Sequence, residues 1–385
     1  MKLGAACLLL ILQTGILQLT SAATPLITAA TNQECEDVFT KTGTTVLMSA
    51  DPDEPEFYTA NVEDVRNSTA GSTVCPTKYG ATLLGQPVVI VASGEGQLNA
   101  ALCLTELLRC SAYIKEVIWS GTAGASSQIG GAITPPACVA ENHQTVGLGD
   151  VCVSPFSLAW ECFEASWSDA CKGFPDVCSA PDYDYGPEAT NADYGDCVYN
   201  RFDDASLELA DEIVAAARDP NSYASMPRRG PTTQQYMSEY FGNMSAGTGL
   251  SYSPNAADAA QVFDYTVCME TTSLYYWTGV PWDYLARLFE AQAVNQALGL
   301  NQTAEDMIAV TAEEATGISA AMYHYRQING SADIPFVIIR GFSDYTYPPL
   351  TQTANGSWQA QEFNVDDSTT NEHTYYFTRT AYSGV

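Results

Sequence analysis

Basic residues are scarce in this chain of 385 residues. Its 15 Lys and Arg face 45 Asp and Glu, which gives a formal net charge of −30 at pH 7. General binding to nucleic acid depends on cationic side chains that displace counterions from phosphate. This charge balance therefore excludes nucleic acid as a general partner, and we attribute the acidity to solubility in a salty or acidic exterior.

Histidine is rarer still, with three residues scattered at His143, His324 and His373. None of them lies in a catalytic-triad or metal-ligand pattern, and the sequence contains no Cys-x-x-Cys motif. Zinc sites combine such ligands at short spacings. We therefore predict that the protein holds no metal ion and needs no cofactor.

Long apolar runs are confined to the amino terminus. Lys2, an apolar stretch over residues 4–18 and small residues at 20–23 are typical of a secretory signal peptide, which we predict over residues 1–22. No later stretch reaches the roughly 20 apolar residues of a membrane span. We expect an exported protein in which residues 23–385 form a single α/β domain.

Glycosylation signals and cysteines agree with export. Asn-x-Ser/Thr sequons occur at five positions, namely Asn67, Asn243, Asn301, Asn329 and Asn355. Of twelve cysteines, eleven lie outside the signal segment, and an oxidising compartment would pair most of them. Because eleven is odd, at least one thiol stays free or pairs between chains. Five cysteines crowd one segment and are expected to staple it: Cys152, Cys162, Cys171, Cys178 and Cys197. We interpret Cys103 and Cys110, on an apolar helical pattern, as simple core residues.

The distribution of apolar residues predicts an α/β domain with a largely buried sheet. Six apolar, β-rich runs indicate strands, at Thr45–Ser49, Pro87–Ala92, Glu116–Ser120, Asp150–Ser154, Met307–Thr311 and Pro335–Arg340. Several runs are continuous, as in strands that are covered on both faces. Helical patterns cover Leu98–Arg109 and about Ala315–Tyr325. A polar, Cys-rich insertion is expected at about 155–260, with one helix near Leu207–Arg218.

Two segments place small residues at the ends of predicted strands. Ser93-Gly94-Glu95-Gly96 follows one strand and opens a helix, where glycines permit a sharp turn and backbone amides are exposed. Ser120-Gly121-Thr122-Ala123-Gly124 follows another strand, and its small side chains would let a flat ligand lie against the backbone. Each segment alone also fits an ordinary tight turn. A dinucleotide motif is excluded at the first because Asn99 replaces its third glycine.

A third segment places charges next to apolar strands. Glu313 and Glu314 follow one strand, and another ends in Arg340-Gly341-Phe342-Ser343-Asp344. A charge at the end of an apolar strand is costly unless it is paired, so Arg340 is predicted to neutralise a carboxylate. The alternative is an internal salt bridge without a role in binding.

In order, these segments resemble the motif set of the nucleoside phosphorylase and methylthioadenosine/S-adenosylhomocysteine nucleosidase superfamily. The matching runs are Ser93–Ala101, Ser120–Gly124, Gly149–Ser154, Glu314–Thr316 and Arg340–Asp344. Leu47–Tyr58 and Met269–Gly279 further resemble the purine nucleoside permease branch. The resemblance covers roughly residues 44–155 and 265–345. It implies a three-layer, phosphorylase/hydrolase-like α/β fold, with a central mixed sheet flanked by helices and a disulfide-rich insertion.

The resemblance also implies residue roles. Asp344 matches the acid that protonates the leaving base, and Ser343 orients it. Glu314 matches the glutamate that binds ribose hydroxyls, and Arg340 matches the arginine that holds this glutamate. Substrate contacts are implied at further matching positions, namely Ser93, Gly94, Thr122, Ala123, Gly124, Tyr276 and Trp277.

Departures from the pattern concern the sugar and the acceptor. Glu313 stands where nucleosidases usually carry methionine. Glu54 is the best match for a carboxylate that activates water, with Asp53 next, and the alternative is that Glu54 is a solvated loop residue. Family phosphorylases carry arginines near the first strand and before the Gly-Thr turn, where this chain has none. A phosphate pocket needs such cations, so water is favoured over phosphate as the acceptor.

The sequence predicts a secreted protein that cleaves the N-glycosidic bond of purine or thio-nucleosides. Two alternatives stay open: a catalytically weak nucleoside-binding or storage protein of the same fold, and a purine nucleoside phosphorylase. The expected partner is a small-molecule nucleoside, and the resemblance implies a homo-oligomer, a dimer or a trimer.

Overall fold

A computed structural model describes most of the two regions that carry the motifs. The described residues are 35–39, 42–51, 61–67, 74–126, 128–130, 144–146, 150–159, 165–167, 183–185, 204–219, 261–272, 280–329, 334–346, 350–352 and 358–360.

Seventeen strands and four α-helices follow one another in the described chain. The strands are β1 Thr44–Ser49, β2 Val62–Asn67, β3 Thr77–Leu83, β4 Gln86–Ala92, β5 Ile114–Ala125, β6 Gln128–Ile129, β7 Gln144–Thr145, β8 Val151–Ser154, β9 Ser157–Ala159, β10 Ala165–Trp167, β11 Tyr183–Tyr185, β12 Val262–Asp264, β13 Cys268–Thr272, β14 Ile308–Ala312, β15 Phe336–Tyr345, β16 Leu350–Gln352 and β17 Trp358–Ala360. The helices are α1 Gln97–Leu108, α2 Asp204–Arg218, α3 Val280–Leu298 and α4 Ala315–Asn329. Short 3₁₀ turns cover Ser111–Tyr113 and Ala304–Asp306.

Eleven of the described strands form one mixed sheet. Its main path runs β12-β8-β15-β5-β1-β4-β3-β2, and β14, β13 and β9 extend it from the far end of β5. Strand β5 pairs in parallel with β1 and β15, and its last residues pair antiparallel with β14. The carboxyl end of β5 therefore lies between β15 and β14, and residues from all three strands meet there.

Helices cover both faces of the sheet, which gives three layers. Alternate residues of β1, β5 and β15, such as Met48, Trp119 and Ile338, lie in one core cluster with residues of α1 and α4. The neighbouring positions, such as Ile118 and Ile339, lie in a second cluster with residues of α2. Burial on both faces explains why these strands read as continuous apolar runs.

All six predicted strands are confirmed, and two of them are longer than predicted. Strand β5 continues from Ser120 to Ala125, and β15 continues from Arg340 to Tyr345. The small residues after Ser120 are therefore strand rather than a turn. They stay extended because they pair with β15 up to Ala125. The three predicted helices are confirmed as α1, α2 and α4.

Helix α3 and strand β13 are absent from the sequence predictions. Helix α3 buries Asp283, Arg287 and Glu290, so charged residues interrupt the apolar period that would reveal a helix. Strand β13 buries Glu270 and two threonines, which removes the usual apolar signal of a strand.

Part of the region interpreted as an insertion contacts the main sheet. Strand β9 pairs with β13, and Ser206 of α2 accepts a hydrogen bond from the backbone N–H of Phe336 at 3.0 Å. The remaining cysteines of that region, Cys162, Cys171, Cys178 and Cys197, lie outside the described residues.

Three disulfides correct the cysteine assignments. Cys35 pairs with Cys110, and Cys75 pairs with Cys103, so neither Cys103 nor Cys110 is a simple core thiol. Cys152 pairs with Cys268 across 116 positions of sequence rather than within its own crowded segment. The helical pattern accounts for the burial of Cys103, but the partners come from distant segments that the spacing does not reveal.

Two of the disulfides should differ in how much each contributes to the free energy of unfolding. The Cys152–Cys268 bridge closes a loop with a sequence separation of 116, whereas Cys75–Cys103 closes one of 28. Removing a disulfide raises the conformational entropy of the unfolded chain, and this gain is larger for a longer closed loop. We expect the alanine pair at 152 and 268 to lose about 1 kcal/mol more unfolding free energy than the pair at 75 and 103. Urea titration of both double variants measures this, and the reverse order would contradict it.

Candidate active site

The candidate site lies at the carboxyl ends of the paired strands β5 and β15. The two strands pair in parallel from Phe336↔Val117 to Tyr345↔Ala125, with a register shift between Phe342 and Asp344. This shift places a bulge at Ser343 and sets Asp344 opposite Gly124. Bulges are common where a strand presents a functional residue. The side chains of Ser343 and Asp344 lie outside the described set.

Arg340 is the central charge of the site. The residue is 1% exposed and lies on the face of β15 that packs against α4. The guanidinium Nη2 donates to Glu314 Oε2 at 2.9 Å, and Nη1 donates to the carbonyl of Thr122 at 3.2 Å. The predicted pairing of Arg340 with a carboxylate, and with Glu314 in particular, is therefore present.

Glu270 is a second carboxylate on Arg340 that the sequence reasoning missed. It receives two hydrogen bonds from the guanidinium, Nε to Oε2 at 2.6 Å and Nη2 to Oε1 at 3.2 Å. Its contact is bidentate, whereas Glu314 makes one contact with Arg340. The sequence does contain a signal for Glu270, which directly follows the apolar pair Cys268-Met269. A glutamate buried there would need a partner for its charge, by the same reasoning that was applied to Arg340.

Glu270 also caps helix α4 from the neighbouring strand. The backbone N–H of Ala315 donates to Glu270 Oε1 at 3.2 Å, and that of Thr316 donates to Thr272 Oγ1 at 3.2 Å. Thr272 in turn donates to Glu270 Oε1 at 2.8 Å. First-turn amides lack partners within a helix, and a carboxylate there also interacts favourably with the helix dipole. One carboxylate thus stabilises both Arg340 and the start of α4.

The glycine loop reaches Glu314 from the other side. Gly94 and Gly96 have φ values of +84° and +89°, which explains why glycine occupies both positions. The backbone N–H of Gly96 donates to Glu314 Oε1 at 3.3 Å. Ser93 is buried and donates through its backbone N–H to the carbonyl of Ser49 at 2.9 Å. The loop is therefore tied both to β1 and to the carboxylate that pairs with Arg340.

Close packing of α1 on α4 holds this loop in place. A Cβ atom at Gly317 would lie 1.9 Å from the carbonyl oxygen of Gln97, so a side chain there would displace the start of α1. Thr316 donates to the side chain of Gln97 at 2.9 Å. Glycine at position 317 thus allows the first turns of the two helices to touch.

The predicted site residues fall into three groups. Arg340, Glu314, the Gly94–Gly96 loop and the β5 end are brought together, with Thr122 and Glu313 half-buried and Ala123 buried. Ser343 and Asp344 are described only through their backbone on β15. Trp119, directly before Ser120, is fully buried, and the Arg340 guanidinium lies 5.6 Å from its ring centroid. Glu54, Tyr276 and Trp277 lie outside the described residues.

A second buried polar cluster lies between α3 and the strand ends. Asp283 pairs with Arg287 at 2.8 Å, and Thr271 donates to Glu290 Oε1 at 2.9 Å. Burial raises the pKa of the Glu290 carboxyl well above its ordinary value, although the Thr271 hydrogen bond opposes this shift. Desolvation outweighs that hydrogen bond, which favours the neutral form of Glu290.

Metal and membrane features are absent from the described part of the chain. No group of three or more His, Cys, Asp and Glu side chains is arranged there to hold a metal ion. Among the described helices, none combines the length and apolar character that crossing a membrane requires.

Comparisons with known proteins give matches only among solved structures. A scan of protein-family models and a search of curated proteins find no match. The chain is similar to a 5′-methylthioadenosine/S-adenosylhomocysteine nucleosidase from Colwellia psychrerythraea in complex with adenine, with a TM-score of 0.40, 17% identity and coverage of 90% of this chain and 93% of that chain. The corresponding nucleosidase from Neisseria meningitidis, in complex with methylthio-immucillin-A, gives a TM-score of 0.39 at 15% identity, covering 88% and 93%. At these identities and TM-scores, the similarity assigns no function to this chain.

The two carboxylates on Arg340 should differ in their effect on stability. In Glu270→Gln, Arg340 keeps only its single contact with Glu314, and α4 loses a charged cap, so we expect a loss of about 2–3 kcal/mol of unfolding free energy. In Glu314→Gln, Arg340 keeps Glu270, and we expect a loss of about 1 kcal/mol. Denaturant titration at neutral pH compares the two variants. Equal losses would contradict the assigned hierarchy.

Proposed function

We propose that this protein is a nucleoside hydrolase that cleaves the N-glycosidic bond of purine or thio-nucleosides. The observation that carries the proposal is the buried Arg340–Glu314 ion pair, which lies beside the Gly94–Gly96 loop and four residues before Asp344 on β15. It joins the segments whose sequence resembles nucleoside-cleaving enzymes. In this proposal Asp344 protonates the leaving base, Ser343 orients Asp344, and Glu314 binds the ribose hydroxyls.

The arrangement suits a reaction in which positive charge develops on the sugar. Glu270 and Glu314 together bring two negative charges to the single positive charge of Arg340. Carboxylates near a forming oxocarbenium ion stabilise it, most strongly where water is excluded. Because Arg340 engages Glu270 in a bidentate contact, Glu314 keeps acceptor capacity for hydroxyl groups.

Water is favoured over phosphate as the acceptor because the buried guanidinium groups already have carboxylate partners. Arg340 is already engaged by two carboxylates, and Arg287 by Asp283. A phosphate ion would have to compete with these built-in anions for either guanidinium. Glu54 and Asp53 remain the candidates for activating water.

Base release from inosine, adenosine and methylthioadenosine tests the proposal, with phosphate present and absent. We expect release without phosphate, and a fall in kcat of about 10²- to 10⁴-fold in Asp344→Asn, because the leaving base loses its proton donor. Asp264→Asn is the matched control, since Asp264 ends β12 and pairs with Arg218 away from the site. The purified full chain should be assayed by chromatography of the released base.

Each other outcome of this assay selects an alternative. Release that requires phosphate would make the protein a phosphorylase. Saturable nucleoside binding without release would favour the binding or storage function. Unchanged turnover in Asp344→Asn would show that another group supplies the proton.

We further propose that the protein is exported and N-glycosylated. Three disulfides among the described residues fit an oxidising compartment. Asn301, which starts the sequon Asn301-Gln302-Thr303, is exposed after the end of α3. An accessible sequon in a secreted protein is a glycan acceptor.

Mass spectrometry of the protein secreted from a eukaryotic host tests this proposal. Asn301→Gln should remove one glycan, which treatment with peptide N-glycosidase would otherwise release. Asn61→Gln is the matched control, because Asn61 is exposed but does not start a sequon. Retention of the unglycosylated chain inside the cell would contradict the proposal.

A further inference from the structure

The carboxyl end of β15 is held by four buried polar residues, which we name the clasp: Ser126, Asp283, Arg287 and Thr346. Asp283 Oδ1 accepts hydrogen bonds from Thr346 Oγ1 at 2.6 Å and from Ser126 Oγ at 2.7 Å. Its other oxygen pairs with Arg287 Nε at 2.8 Å. The carboxylate of Asp283 on α3 thus binds the hydroxyl groups of residues that directly follow β5 and β15.

The clasp also joins the backbones of three strands. The N–H of Thr346 donates to the carbonyl of Ala125 at 2.9 Å. The N–H of Ser126 donates to the carbonyl of Ala309 at 2.9 Å, and the N–H of Ala309 donates back to Ser126 Oγ at 2.9 Å. The ends of β5 and β15 and the start of β14 are therefore fixed relative to Asp283.

This attachment follows directly after the bulge that sets the register of Asp344. Phe342 pairs with Ala123 and Asp344 pairs with Gly124, so Ser343 is the extra residue on β15. A slip of one residue moves a strand position to the opposite face of a sheet. Thr346, two residues beyond Asp344, holds the shifted register through its bonds to Ala125 and Asp283.

We propose that Thr346 and Asp283 are positioning residues for the general acid, because the clasp maintains the bulged register at Asp344. The inference rests on the proposed nucleosidase function. A buried ion pair is weak evidence for stability, and fixing a register is the best-attested use of such groups.

Two substrates separate positioning of the acid from general support of the site. Inosine needs a proton on its leaving base, whereas N7-methylinosine carries a cationic base that leaves without one. Thr346→Val keeps the side-chain shape and removes the hydroxyl. We expect kcat for inosine to fall on the order of 10- to 100-fold, with KM and the turnover of N7-methylinosine changed less than about twofold. Thr346→Ser, which restores the hydroxyl, should recover the activity on inosine.

Thr45→Val provides the matched control. Thr45 donates to Glu116 at 2.6 Å, the same distance as Thr346 to Asp283, but this pair lies at the amino ends of β1 and β5, whereas the clasp lies at the carboxyl ends of β5 and β15. It should leave both substrates unaffected. If Thr346→Val does not fold, Ser126→Ala is the second variant, because it removes the other hydroxyl that donates a hydrogen bond to Asp283 Oδ1. It should likewise lower kcat for inosine and leave the turnover of N7-methylinosine nearly unchanged.

The outcomes distinguish the two proposals. An equal loss on both substrates, or no loss on inosine, would overturn the positioning role while leaving the nucleosidase function intact. A wild-type chain that releases base from neither nucleoside would overturn the proposed function, and the positioning role with it.

Discussion

The burial of one guanidinium determines how the candidate site is built. Arg340 is 1% exposed on a strand whose preceding residues are all apolar, so its charge has no access to water. An isolated buried charge is too costly for a folded protein, and the chain must bring carboxylates to it. Glu270 comes from β13 and Glu314 from the turn between β14 and α4. Two distant segments are thereby fixed around the end of β15.

The same carboxylates organise the elements around them. Glu270 caps α4 while it holds Arg340, so the helix start and the guanidinium share one anion. Glu314 accepts the Gly96 amide, which places the glycine loop over the ion pair. Gly317 lets α1 approach α4 closely enough for this contact. A rigid arrangement of this kind suits a binding site, because little ordering is left to be done when a ligand arrives.

The sequence predicted the features that leave a signal within a few neighbouring residues. The continuous strands β1, β4 and β15 were predicted because both of their faces pack against apolar residues. The pairing of Arg340 with a carboxylate followed from the cost of burying its charge. Glu270 was missed because it is 70 positions from Arg340. Helix α3 was missed because charged residues interrupt the apolar period of its buried face, and Asp283 and Glu290 bond to side chains on other elements. The disulfide partners were not predicted either, because a pairing across 75 positions leaves no trace in local spacing.

For the proposed cleavage reaction, the charge of the Arg340 cluster bears on whether water or phosphate is the acceptor. With two carboxylates and one guanidinium, the buried group carries an excess negative charge when all three are ionised. In a medium of low dielectric constant, such a charge attracts a sugar that becomes cationic and repels a phosphate that carries negative charge. Phosphorolysis would need a further cation to offset this repulsion, whereas hydrolysis uses a neutral acceptor. For the proposed reaction, the charges around Arg340 favour water as the acceptor, and a carboxylate near the sugar would then act as the base that activates it.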